Sequence, residues 1–342
     1  MTTTPIPYGR VRGHQVSVVV AVYDNLQFLP ETLAAIDAQT EPPGEVVIVD
    51  DASPHDVRAV VDSAAIAVPV HYIRLEVNGG VAAARNAGNA AATGDWIAVC
   101  DSDDLWMPEK LERQLKLINS WNDPEPLVAV GTDVMNVNRS GKPFGVVPGG
   151  INTKDAYLER IAKDLPFALS HCTVVYRRDT ASRCGGYPTN TTPIAADVEL
   201  LTNLASAGIV LTIPEVLASY RKHDSSQTVS WTGVRDQHVS FSRIAVNMRR
   251  KRLGMPPLGP REFTEIRAAR SRFERYEEFK WCVAKFLYRS GAVQLANGRS
   301  LRGGMRLALA FPLAPRLVSS GVGRYLHLRD AGKDFGGQAS NG

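Results

Sequence analysis

Asp101, Asp103 and Asp104 arrive within four positions, directly after the apolar run Trp96–Cys100. Three carboxylates this close repel one another, and a divalent cation offsets that repulsion. Oxygen-only ligands suit Mg²⁺ or Mn²⁺. Other apolar runs also end in acids: Asp24 follows Val16–Val22, and Asp50 and Asp51 follow Glu45–Val49. Arg85 lies just beyond Gly79 and Gly80. Glycines ahead of a helix favour phosphate at its N-terminus, and a guanidinium adds a charged clamp. Acids for a metal and a cation for a phosphate together fit a nucleoside diphosphate bridged by Mg²⁺ or Mn²⁺. Each feature alone has a plainer reading. The acidic turn can cap the next helix, and Arg85 can be a surface cation paired with an acid. Further on, Asp197 and Glu199 open another helical segment. Carboxylates there complement the helix dipole, or one of them deprotonates an attacking hydroxyl.

These side chains need a scaffold that gathers them. Val16–Val22, Glu45–Val49, Val70–Leu75 and Trp96–Cys100 read as strands. Helices are expected from Pro30, near 55–65, over Val81–Ala92 and from Pro108, with Leu111, Leu115 and Ile118 on one face. This alternation predicts an α/β, doubly wound parallel sheet, which binds ligands at the carboxyl edge of its strands. The many alanines of 81–92 predict close packing on the sheet. Beyond 120, strands are expected over Leu127–Val137, Ala168–Tyr176 and Ile209–Ile213. Helices are expected near 155–164 and over Asp197–Ala207, with turns at Asn138–Pro143 and Gly185–Tyr187. From about 235 the chain reads as helical and Arg-rich, broken at Pro256-Pro257 and Gly303-Gly304. The expected organisation is a flexible segment 1–14, a strand-rich first half 15–125 that carries the acidic rim, a second half 126–232 and a basic helical region 233–342.

Other classes fit poorly. Tyr23-Asp24-Asn25 follows the first strand where a dinucleotide site needs G-x-G-x-x-G, and no P-loop motif occurs. The four cysteines, Cys100, Cys172, Cys184 and Cys282, lack metal-ligand spacing and read as reduced thiols. Met1–Pro7 lacks the apolar core of a signal peptide. No stretch reaches the roughly 20 apolar residues of a membrane span. Leu307–Val318 comes nearest and is cut by Pro312, Pro315 and Arg316. A cytoplasmic protein is expected. Charge is uneven: residues 1–234 carry 18 Lys and Arg against 27 Asp and Glu, whereas 235–342 carry 21 against 8. Such a basic tail suits an anionic partner or surface, or packs on the acidic body.

In order and spacing the motifs resemble family 2 glycosyltransferases of the GT-A fold. The likeness runs from Val18–Asn25 through Gln39-Thr40, Glu45–Ser53, Asn78–Gly88, Gly94–Pro108, Gly185–Tyr187 and Ala196–Leu200 to Tyr220–His223. It implies a Rossmann-like, mostly parallel sheet flanked by helices, with a C-terminal helical extension. It also implies metal-dependent, inverting transfer from a nucleotide-diphosphate sugar, expected to be a UDP-sugar, to a hydroxyl acceptor in cell-surface polysaccharide or glycolipid synthesis. Asp51 would hold the base beside Asp50, with Ala21 and Tyr23 lining that pocket. Arg85, Asp101 and Ser102 would contact the nucleotide end. Asp101 and Asp103 match the family's D-x-D pair and would hold Mn²⁺ or Mg²⁺, Asp103 most directly, with His223 near the metal and diphosphate. Asp197 would be the general base. Ala196 stands where the family commonly has Glu, which leaves Glu199 a rival. His171 and Glu199 fall on the acceptor side, although His171 and Cys172 also read as ordinary polar positions of a half-buried strand.

The alternatives are a sugar nucleotidyltransferase, which would want a Gly-rich basic loop after the first strand, and a non-catalytic sugar-nucleotide or glycan-binding protein. For the tail, Arg249–Arg252, Arg302, Arg306, Arg316 and Arg324 alternate with apolar residues, which suits peripheral contact with an anionic membrane and a lipid-linked acceptor at the inner face of the plasma membrane. A cap over the acceptor groove and a homodimer contact are the rivals. No nucleic-acid-reading motif is present.

Overall fold

The structure is a computed structural model that describes residues 16–222 and 226–319. Strands β1 (Val16–Val22), β2 (Glu45–Asp50), β3 (Val70–Arg74) and β4 (Trp96–Asp101) pair in parallel in the order β3-β2-β1-β4. Helices α1 (Leu29–Asp37), α2 (Val57–Ala64) and α3 (Val81–Ala91) connect them. Helices cover both faces, so the central strands are apolar throughout rather than alternating. Val16, Val18, Val20 and Val22 pack with Leu29, Leu33 and Ile36 of α1, while Val19, Val47 and Val49 pack with Ala84 of α3. A Cβ at Gly88 would fall 2.5 Å from Val19 Cγ1, so the small residues of α3 let its backbone lie directly on the sheet.

The second half adds antiparallel strands. After β5 (Leu105–Trp106) and α4 (Lys110–Ser120) come β6 (Leu127–Val137) and β7 (Pro143–Val147), then α5 (Lys154–Ala162), β8 (Val175–Arg177), α6 (Arg178–Arg183), α7 (Ala196–Leu204) and β9 (Ile209–Arg221). β8 lies antiparallel between β4 and β6, β9 runs parallel to β6, and β5 and β7 pair antiparallel with β9 and β6. One sheet therefore spans both halves of the chain.

Three expectations change. The strand expected over Ala168–Tyr176 is mostly loop: His171–Thr173 forms a 3₁₀ turn and only Val175–Arg177 pairs. Residues 138–143 form the expected turn, but the chain then returns as edge strand β7, which tolerates Pro143 and Gly145. β9 runs well past Ile213. Its pairing steps from Thr132↔Ile213 to Asp133↔Val216, so a bulge absorbs Pro214 and Glu215 and the strand continues.

The basic region forms α8 (Trp231–Arg252), α9 (Pro260–Ala268), α10 (Arg272–Ala296) and α11 (Ser300–Ala310). Pro256-Pro257 separates α8 from α9 as expected, but Gly303 lies inside α11. A Cβ there would come 2.9 Å from the Gly291 carbonyl, so the two glycines let α10 and α11 meet closely. No described helix is long and apolar enough to cross a membrane.

Candidate active site

Strand register gathers the acids. Ala21 of β1 lies beside both Asp101 of β4 and Val49 of β2, and Val22 lies beside Asp50. The parallel strands thus end level, and whatever follows them shares one edge. A cavity of about 610 Å³ opens there. Ala21, Tyr23, Asp51, Arg85, Asp101 and Ser102 line it, and so do Asp103, His171 and Asp197 from further along the chain. Tyr23 is an exposed aromatic at this edge (47%).

Backbone donors fix Asp51. Its Oδ1 accepts from Gly79 N at 2.8 Å and its Oδ2 from Gly80 N at 2.9 Å. The N–H groups ahead of α3 therefore hold a carboxylate of the protein itself, not the free phosphate cradle expected from the glycines. Asp50 does not line the cavity. Its buried carboxylate accepts from Ser53 N at 2.7 Å and Tyr72 Oη at 2.6 Å, and pairs with Arg74. Two side chains of β3 and the Ser53 backbone N–H hold Asp50, which turns it away from any base in the cavity.

The acidic turn is braced from two sides. Thr32 of α1 donates its hydroxyl to the carbonyls of Asp104 (2.9 Å) and Ser102 (3.2 Å). Arg221, buried at the end of β9, donates its backbone N–H to Asp104 Oδ1 at 2.8 Å and its Nε–H to the Asp103 carbonyl at 2.9 Å. Its Nη2 reaches Glu31 at 2.8 Å, and its guanidinium lies over the Phe28 ring. Burial, with Asp103 and Asp101 close by, pushes the Asp104 carboxyl well above the usual range. Asp104 is thus a structural member of the triplet, and Asp101 and Asp103 are the two that face the cavity.

Arg85 binds inside the protein. It pairs with Asp101, and its guanidinium lies 5.6 Å from the Tyr187 ring centroid. Its buried Nε–H has no hydrogen-bond acceptor among the described residues. Burial alone would weaken its charge, but Asp101, Tyr187 and Asp197 more than offset this and hold the guanidinium charged. Tyr187 is clamped to α3 by reciprocal hydrogen bonds with the Asn86 amide, both 2.8 Å. Its hydroxyl meets His171 Nε2 at 2.6 Å and Tyr176 Oη at 3.1 Å. Burial and the nearby Arg85 push His171 well below its ordinary value, so it is a neutral imidazole.

Asp197 opens α7 and is half-buried, with its Oδ1 accepting from Val198 N at 2.8 Å. Burial raises its carboxyl to about 6, opposed by Arg85. Its rival Glu199 turns away and pairs with buried Arg243 of α8 at 2.7 Å, outside the cavity wall. His223 lies outside the described residues. Among those described, no group of three or more His, Cys, Asp or Glu side chains is arranged to ligate an ion. The chemistry of Asp101 and Asp103 nonetheless suits a hard cation. Such ions take oxygen ligands and keep sites for water and phosphate oxygens.

The cationic part of the cavity lining was not read from the sequence. Lys222, just beyond β9, and Lys285 and Arg289 of α10 line the cavity with Phe241 of α8. Burial, with Arg289 as neighbour, lowers Lys222 and Lys285 to about 7. Lys285 and Arg289 lie four residues apart on α10, one helical turn on the same face. That spacing was the available signal, and it was lost among the many other cations of the tail.

A level rim of strand-end carboxylates on a sheet that turns from parallel to mixed, closed by a helical region, is the architecture of GT-A glycosyltransferases. Residues 17–179, just under half of the chain, match the family described as Glycosyl transferase family 2. An uncharacterized glycosyltransferase of Haemophilus influenzae is 28% identical over 212 residues, covering 60% of this chain and 75% of the relative. Among solved structures, a Pyrobaculum calidifontis mannosyltransferase in complex with GDP-Man and Mn²⁺ aligns at TM-score 0.53 and 20% identity, covering 93% of this chain and 86% of that one. S. aureus TarS 1–349 in complex with UDP-GlcNAc aligns at TM-score 0.51 and 17% identity, covering 86% and 90%. At those identities the likeness concerns the fold.

Proposed function

We propose that this chain moves a glycosyl unit from a nucleoside-diphosphate sugar to a hydroxyl acceptor with inversion at the anomeric carbon, in synthesis of a cell-surface glycan or glycolipid. The observation that carries this is the meeting of Asp51, Arg85, Asp101, Asp103 and Asp197 on one cavity. The segment 15–125 supplies the donor side and 126–232 the acceptor side. Tyr23 and Ala21 flank the base, and Asp51, rigid on two N–H groups, presents its remaining lone pairs to a base N–H. UDP is the favoured nucleotide. The known ligands of the two solved neighbours, UDP-GlcNAc and GDP-Man, set the range to test.

Asp103 and Asp101 would hold Mg²⁺ or Mn²⁺, which neutralises charge on the departing diphosphate. The protein's own chemistry centres on Asp197. A carboxylate titrating near 6 is ionised at neutral pH yet basic enough to take a proton as the acceptor oxygen attacks. In a single displacement one base suffices, and attack comes from the face opposite the leaving group. Arg85 holds Asp101 in place and lowers the energy of ionised Asp197. The test is a panel of UDP- and GDP-sugars scored by thermal shift with and without Mn²⁺, since a ligand of the native state raises Tm. A shift with one donor, followed by its turnover, is expected. No shift with any donor overturns the proposal.

A further inference from the structure

Lys222, Lys285 and Arg289 stand on one wall of the cavity, and among the described residues none of them forms an ion pair. Their polar contacts are neutral. Lys285 Nζ reaches Gln237 Oε1 at 3.1 Å, and Arg289 Nη1 donates to the Thr228 carbonyl at 3.1 Å. The remaining contacts are aromatic: Lys285 lies 4.6 Å from the Trp281 ring centroid and Lys222 5.1 Å from that of Tyr220. Elsewhere in the basic region arginines find acids: Arg243 holds Glu199, Arg252 holds Asp164 and Arg267 holds Glu278. Three half-buried cations that repel one another, with no ion-pair partner among the described residues, raise the energy of the resting protein, and an anion entering the cavity relieves that cost.

We infer that Lys222, Lys285 and Arg289 form an anion subsite for a phosphoryl group on the C-terminal wall of the cavity. The guanidinium offers paired donors to phosphate oxygens, and the two ammonium groups add point charges. Two sources share this chemistry: the diphosphate of the donor and a phosphate on the acceptor. The subsite rests on the transferase reading only for the source of its anion.

The test uses the full chain and inorganic pyrophosphate, titrated by calorimetry in EDTA so that no divalent ion mediates binding. Wild type is expected to bind, and the Lys285→Met/Arg289→Met variant to bind at least about tenfold more weakly. The charge-preserving Lys285→Arg/Arg289→Lys variant is expected to stay within about threefold of wild type. If the double methionine variant does not fold, Lys285→Gln and Arg289→Gln carry the test, each with a loss of about threefold or more. No pyrophosphate binding by wild type, or equal binding by the charge-removed variants, overturns the inference. UDP and uridine then separate the sources. Weakened UDP with unchanged uridine assigns the anion to the donor, and unchanged UDP with lost pyrophosphate assigns it to the acceptor. None of these readings needs turnover, so a failed transfer assay leaves them standing.

Discussion

The two walls of the cavity treat charge in opposite ways. On the strand-end wall the carboxylates have protein partners in place: Asp51 its two glycine N–H groups, Asp101 its guanidinium, Asp104 the Arg221 amide. On the helical wall, among the described residues, the hydrogen-bond and ring partners of Lys222, Lys285 and Arg289 are amide, carbonyl and aromatic groups. Fixed partners hold the first wall in one geometry before any ligand arrives, which is what positioning a reaction demands. The second wall is higher in energy when empty and gains most from a ligand. The difference separates positioning for chemistry from binding, and substitutions on each wall should show it.

The largest effect is expected from Asp197→Asn, which keeps shape but removes the carboxylate proposed as the base. kcat should fall by about 10³-fold with donor KM little changed, measured by steady-state turnover. A loss confined to KM would erase the distinction between the walls. Arg221→Met should destabilise the fold by about 2 kcal/mol in urea unfolding, because the Asp103 and Arg139 carbonyls lose buried donors. The pH profile sharpens the role of Asp197. Its carboxyl is raised to about 6, so the reactive ionised form is lost as pH falls through that value. kcat/KM should drop about tenfold per unit below pH 6 and level off above it. Arg252→Ala breaks an exposed pair with Asp164 far from either wall and should change stability by no more than about 0.5 kcal/mol.

The strand-end wall was legible in the sequence because parallel strands write themselves as apolar runs and place their functional residues immediately afterwards. Val16–Val22 and Trp96–Asp101 needed no tertiary knowledge to locate. What failed there was side-chain direction. Asp50 and Asp51 are neighbours, and only the positions of Tyr72 and Arg74 on β3 decide which one turns from the cavity. The second half of the sheet was harder. Pro214 and Glu215 interrupt an apolar pattern that a bulge lets continue, so β9 looked short and Arg221 had no visible target. The helical wall was hidden in composition. A region with so many cations suits an anionic surface or a cap over the acceptor groove alike, and composition does not mark Lys285 and Arg289 as the ones that line the cavity. Among the residues named for that surface, Arg324 lies outside the described residues.

Arg221 ties the loop after β4 to the far end of β9, two points 117 residues apart in sequence. Surface loops ordinarily open on their own and exchange their amide hydrogens fast, whereas this one can open only when the last turn of a 13-residue strand lets go. The Asp104 and Arg221 amides should therefore exchange with deuterium as slowly as the middle of the sheet. The acidic turn then belongs to the slowest-opening cooperative unit of the molecule, not to its mobile periphery.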